Sequence, residues 1–174
     1  MSPIQAEIPM PQNEFTDAIA LLKNDHRTVE ALFEKFESAR SGNKRALAEQ
    51  ICNELKVRAT IEEEIFYPAL DGKIEDDTLN EAYVEHDGAK VLINDIMASS
   101  DEDLLDAKVK VLSEEIKHHV KEEEARQEGM FAQAREAGVD LTALRDQLMA
   151  RKQELMQVAK TEGLPPAEMS VLQV

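Results

Sequence analysis

Apolar residues recur along this chain at alternating spacings of three and four. At a few points a polar residue takes an apolar residue's turn. The first run is Ile19, Leu22, His26, Val29, Phe33 and Phe36, with steps of 3, 4, 3, 4 and 3. That alternation is one buried stripe on a helix of the bundle type. Thr16 or Asp17 suits its N-cap, and SGN at 41–43 predicts its end. A second run reads Leu47, Ile51, Leu55, Arg58, Glu62, Ile65 and Ala69. It predicts a helix from about Lys44 to Pro68, where the proline ends or kinks it, with DGKIEDD at 71–77 as the loop. A third helix, starting near Asp77 or Thr78, carries Leu79, Ala82, His86, Ala89, Ile93 and Ile96. After SSDED at 99–103 the fourth carries Leu105, Val109, Leu112, Ile116, His119 and Glu123.

Four such helices joined by short loops predict an all-α fold, an antiparallel up-down-up-down four-helix bundle over 15–133. Residues 1–14 hold three prolines and no helical period, and predict a flexible N-terminal arm. Leu141, Leu144, Leu148 and Leu155 predict an extra C-terminal helix outside the bundle, so 134–160 is assigned to an additional amphipathic helix. The paired prolines at 165 and 166 predict a loose tail over 161–174.

Composition narrows the function classes. The 174 residues are 43% hydrophobic, enough for one well-filled domain, and scarce aromatics without tryptophan favour helix over sheet. A net charge of −16 repels phosphate backbones and anionic lipid, so neither nucleic acid nor membrane is an expected partner. No apolar run is long enough to span a bilayer, and the N-terminus lacks the basic and apolar regions of a secretory signal. With Cys52 as its single cysteine, the chain is expected to be cytoplasmic, and either a monomer or a homodimer formed through 141–160.

The polar residues on the stripes carry the chemistry. Three of the four histidines, His26, His86 and His119, fall there, together with Glu62 and Glu123. His118 is rotated by about 100° from His119 and is a boundary residue or a support behind a ligand. Glu63, Glu64, Glu122 and Glu124 read as solvated charges. An unpaired buried carboxylate costs several kcal/mol, so Glu62 and Glu123 need a cation or hydrogen-bond donors. One metal site would answer all five stripe residues, and imidazole with carboxylate suits iron, manganese or zinc. The single Glu-x-x-His, Glu115 to His118, is half of the ferritin-type pair and has no second copy.

His26 in NDHRTVEALF, the segment RATIEEEIFYPAL, His86 in EHDGAK and HHVKEEE at 118–124 together resemble the hemerythrin-like, HHE cation-binding family, over roughly 16–133. The resemblance implies a non-haem diiron centre inside a four-helix bundle. Members of that family bind dioxygen, sense oxygen, nitric oxide or iron, or handle peroxide. It further implies that His26 binds one iron, that His86 and His119 bind the other, and that Glu62 and Glu123 bridge them. The family's remaining histidine should stand four residues before Glu62, where this chain has Arg58.

A guanidinium is always charged and has no lone pair to offer, so Arg58 cannot replace imidazole. Three arrangements follow. Arg58 stands in the lost iron's place and pairs with Glu62, leaving a mononuclear site. Alternatively it swings outward and solvent or Glu63 completes a modified dinuclear site, or the bundle is metal-free. The leading expectation is a protein that binds or senses O2, NO or iron rather than an enzyme, with Tyr67 or Tyr83 as hydrogen-bond donor to a bound oxygen species. The alternatives are a peroxide- or NO-consuming diiron enzyme, and an acidic structural or interaction bundle.

Overall fold

The computed structural model describes residues 15–174, so the predicted arm at 1–14 lies outside the described residues. Among these residues there are six helices and no strand. They are α1 (Ala18–Ser38), α2 (Ser41–Ile61), α3 (Asp76–Ala98), α4 (Leu105–Glu124), α5 (Met130–Glu136) and α6 (Leu141–Thr161). α2 continues through a π turn (Glu62–Phe66) into a last helical stretch (Tyr67–Leu70). α1 to α4 form the up-down-up-down bundle, with α6 as the extra C-terminal helix. No described helix is long and apolar enough to cross a membrane.

Local chemistry sets most boundaries. The Asp17 carboxylate accepts the Ala20 N–H at 2.9 Å and caps α1. Asp140 caps α6 the same way, through the Ala143 N–H at 3.0 Å. SGN at 41–43 is not a loop but the first turn of α2, and the connection shrinks to Ala39 and Arg40. The 134–160 helix is also corrected. α5 ends inside it, because Gly138 adopts φ 71° and turns the chain before α6 begins.

The buried stripes pack into two apolar clusters at opposite ends of the bundle. One gathers Leu22, Ile61, Phe66 and Leu70 with Phe131 of α5 and Leu148 of α6. The other gathers Val29, Phe33, Ile51, Ile93 and Leu112. Between them lies a layer of buried polar side chains: His26, Arg58, Glu62, His86, His119 and Glu123. Because Leu144, Leu148 and Leu155 share a cluster with α1 and α2, α6 completes the core rather than decorating it.

The π turn repositions the end of α2. The Tyr67 N–H bonds to the Glu62 carbonyl, five residues back, instead of four. Pro68 supplies the reason: its ring would crowd the carbonyl four residues earlier in a regular helix, and the wider turn relieves that clash. One extra residue in the turn shifts the stripe. Phe66, Tyr67 and Leu70 become fully buried, while Ile65 and Ala69, the expected stripe residues, are only half-buried.

Candidate metal centre

Each bundle helix brings at least one polar side chain to the layer. His26 comes from α1, Arg58 and Glu62 from α2, His86 from α3, and His119 and Glu123 from α4. Glu62, His86, His119 and Glu123 each offer a donor atom, and these atoms lie within 4.8 Å of one another. His119 Nε2 is 2.5 Å from Glu123 Oε1, across one helical turn. His86 Nε2 is 3.1 Å from Glu62 Oε2 and 3.1 Å from His119 Nε2.

His26 stands outside that group of four. Its Nε2 is 3.3 Å from Glu123 Oε2, the oxygen facing away from His119. Arg58 occupies the same side. Its Nε donates to Glu62 Oε1 at 2.9 Å, and one terminal nitrogen reaches 4.0 Å from Glu123 Oε2. Both terminal nitrogens of Arg58, His26 Nε2 and Glu123 Oε2 are buried without a hydrogen-bond partner among the described residues. The guanidinium is turned inward, only 4% exposed, rather than swung outward. Phe131 of α5 stacks on His26 with ring centroids 5.8 Å apart and closes this side with apolar surface.

Tyr67 is more central than a supporting residue. Its hydroxyl is 2.8 Å from Glu62 Oε2 and 2.9 Å from Glu123 Oε1. It also lies 3.0 Å from His86 Nε2 and 3.4 Å from His119 Nε2. One O–H cannot donate to two carboxylates at once, so the phenol is shared between them. The stripe pattern misses this placement because it continues through Ile65 and Ala69. The signal available in the sequence was Pro68, which makes an unbroken helix through this stretch unfavourable.

Each inward-facing histidine has a carboxylate behind it. Nδ1 of His86 is 3.0 Å from Glu63, Nδ1 of His119 is 3.4 Å from Glu85, and Nδ1 of His26 is 2.9 Å from Glu124. Glu63 and Glu124 are therefore not the solvated charges the sequence suggests. Glu64 does face solvent, where it pairs with Arg151. His118 points away and is 65% exposed; it touches Glu85 at 3.5 Å, the carboxylate that also holds His119.

The charges nearly balance within the layer. Burial and Glu123 push the Glu62 carboxyl up, but Arg58 and His86 outweigh them and hold it below the usual range. Burial also opposes charge on Glu123, and His119 and His26 outweigh it. Burial works against a charged His119, but the Glu123 carboxylate prevails and lifts it to about 10. Burial, Glu123 and Glu62 raise the Tyr67 hydroxyl well above its ordinary value, so it stays protonated without a nearby cation. Two carboxylates thus face Arg58 and a protonated His119.

The converging donor set fits a cation. Two imidazoles and two carboxylates converge and would hold a cation, with the Tyr67 hydroxyl beside both carboxylates. The other side offers His26 and one carboxylate oxygen beside a fixed positive charge. Next to the cluster, a pocket of about 20 Å3 is lined by Leu55, Ala89, Ile93 and Ile116 together with Arg58 and His86.

Fold and site together define a helical-bundle protein with a buried histidine–carboxylate centre. The chain belongs to the hemerythrin HHE cation binding domain family, whose pattern matches residues 17–131. It is similar in fold to the crystal structure of a hemerythrin HHE cation binding domain-containing protein from Mycobacterium kansasii. That likeness has a TM-score of 0.68 at 18% identity and covers 86% of this chain and 96% of the other. No curated protein sequence matches the chain.

Proposed function

We propose that this protein holds one iron ion at Glu62, His86, His119 and Glu123, and uses it to bind or sense O2, NO or iron itself. The observation that carries the reading is the orientation of the two imidazoles. Nε2 of His86 and of His119 faces the cluster while Nδ1 rests against Glu63 or Glu85. Metal-binding histidines are held in this way, with a carboxylate fixing the tautomer and strengthening the donor. A bound iron would supply an open position for a small ligand. The residues do the rest. Arg58 neutralises Glu62 on the side where the family's other iron would sit. Tyr67 presents a hydroxyl to whatever binds. The adjoining pocket exceeds the roughly 10–15 Å3 needed for one water-sized molecule, which suits a diatomic ligand.

A second reading rests on the charge balance. With Arg58 and a protonated His119 set against two carboxylates, and Tyr67 between them, the layer would serve as a metal-free structural core. Metal analysis separates the two. Protein loaded anaerobically with ferrous iron and desalted is expected to retain one iron per chain, and His119→Ala to lose it. Two irons would overturn the single-ion site, and none would favour the structural core.

A further inference from the structure

The segment expected to be a loose tail is fastened across α3. Beyond α6, Asn94 bonds the Ala167 backbone twice, its amide donating to the carbonyl at 2.8 Å and its oxygen accepting the N–H at 2.8 Å. Lys90 donates to the Glu168 carbonyl at 2.9 Å and to the Ser170 hydroxyl at 3.2 Å. The fully buried Asp87 carboxylate accepts the N–H groups of Ser170, Val171 and Leu172 at 2.7–3.0 Å. Asp87, Lys90 and Asn94 are spaced by three and four, so they form one face of α3 turned toward the segment. Apolar contact anchors only the start of the segment, where Leu164 packs against the core; at its far end Val171 is 51% and Leu172 40% exposed, and the polar contacts hold it.

The attachment ends on the metal site. The Ser170 hydroxyl donates to Glu63, Lys90 donates to the same carboxylate at 2.9 Å, and Glu63 holds His86 Nδ1 at 3.0 Å. Between the segment and α2 lies a cavity of about 420 Å3, lined in part by Glu63, Lys90 and Ser170. Glu63 therefore sits between a histidine of the site on one side and the chain's last residues on the other.

We propose that residues 164–172 are a strap that fixes His86 through Glu63, making Ser170 and Lys90 positioning residues of the metal site. This rests on the reading of His86 as a metal ligand. With the strap in place, Glu63 is held by two donors and keeps His86 in one tautomer and one orientation. With the strap released, Glu63 turns toward water, His86 loosens, and the ion leaves faster. Partners behind a metal ligand are worth about 10- to 100-fold in metal affinity, which sets the expected size of the effect.

The test uses full-length wild type and the variants Ser170→Ala, Asn94→Ala and Ser170→Thr, each loaded with Co2+. Cobalt release to excess chelator and amide hydrogen exchange over 164–172 are then followed. Ser170→Ala is expected to speed release by about 10-fold while the strap amides stay protected. Asn94→Ala, two turns from His86, should speed both release and exchange, and Ser170→Thr should restore the wild-type rate. Unchanged cobalt release in Asn94→Ala, with the strap amides exchanging freely, would overturn the proposal. A wild type that binds no cobalt would overturn the site reading itself, and the strap's role with it.

Discussion

Arg58 brings into the core a charge that no ordinary pH removes. Its cost is met by Glu62 at 2.9 Å and by the more distant Glu123, while its two terminal nitrogens make no hydrogen bond among the described residues. Removing that charge and restoring an imidazole changes what the site can hold. Arg58→His is expected to raise bound iron by about one ion per chain, because a donor lone pair replaces a fixed cation beside His26. Elemental analysis of the variant after ferrous loading checks this, and an unchanged ratio would show that Arg58 is not the obstacle. The stripe residues of the site were readable from sequence because a polar residue set in an apolar rhythm is buried with its neighbours and needs a partner there. Glu63, Glu85 and Glu124 were not. They lie one position off a stripe, in a chain with 36 acidic residues, where nothing local distinguishes a supporting carboxylate from a solvated one.

At the scale of elements, the four bundle helices and their order followed from periodicity, whereas α5 was not foreseen as a separate helix; what escaped the rhythm were places where backbone chemistry overrides it. The π turn is one such place, and the connection from α4 to α5 is another. That loop doubles back so tightly that a Cβ on Gly129 would meet the Ala125 carbonyl oxygen at 2.5 Å and the Glu123 carbonyl oxygen at 2.8 Å. The obstacles are backbone atoms, so the chain itself would have to move, and with it the end of α4 that carries Glu123. Gly129→Ala is expected to cost about 2 kcal/mol, as overpacking does. The midpoint of thermal unfolding should then fall by roughly 4–8 °C in a chain of this size. An unchanged midpoint would mean that the loop yields freely.

For the whole molecule, the reach of the core is the informative quantity. α6 was legible as an amphipathic helix, but its leucines could not tell which surface they cover. The structure sets Leu148 at 0% exposure in the cluster that also holds Phe66, Tyr67 and Phe131. Leu148→Ala is expected to cost about 2–5 kcal/mol and to destabilise the bundle as one unit. A single cooperative transition at lower temperature, followed by circular dichroism, would match that expectation; two separate transitions would show α6 melting alone. The tail escaped sequence reading for a different reason. Its anchors are polar groups on α3, and hydrogen bonds between distant segments leave no periodic trace.

The polar layer between the two apolar clusters has one more consequence, for the alignment of the helices along their axes. Aliphatic side chains tolerate sliding, since one leucine can replace another against a neighbour. Glu62, Glu123, Arg58 and the histidines cannot trade places in this way. Displacing one helix by a single turn, about 5.4 Å, would set buried carboxylates against aliphatic groups and strand Arg58 without its partner. Such a loss costs about 3–5 kcal/mol for a broken buried pair, a large part of the stability of a whole domain. The residues that gather around the candidate ion therefore also act as a key, admitting one axial setting of the four helices and rejecting its neighbours.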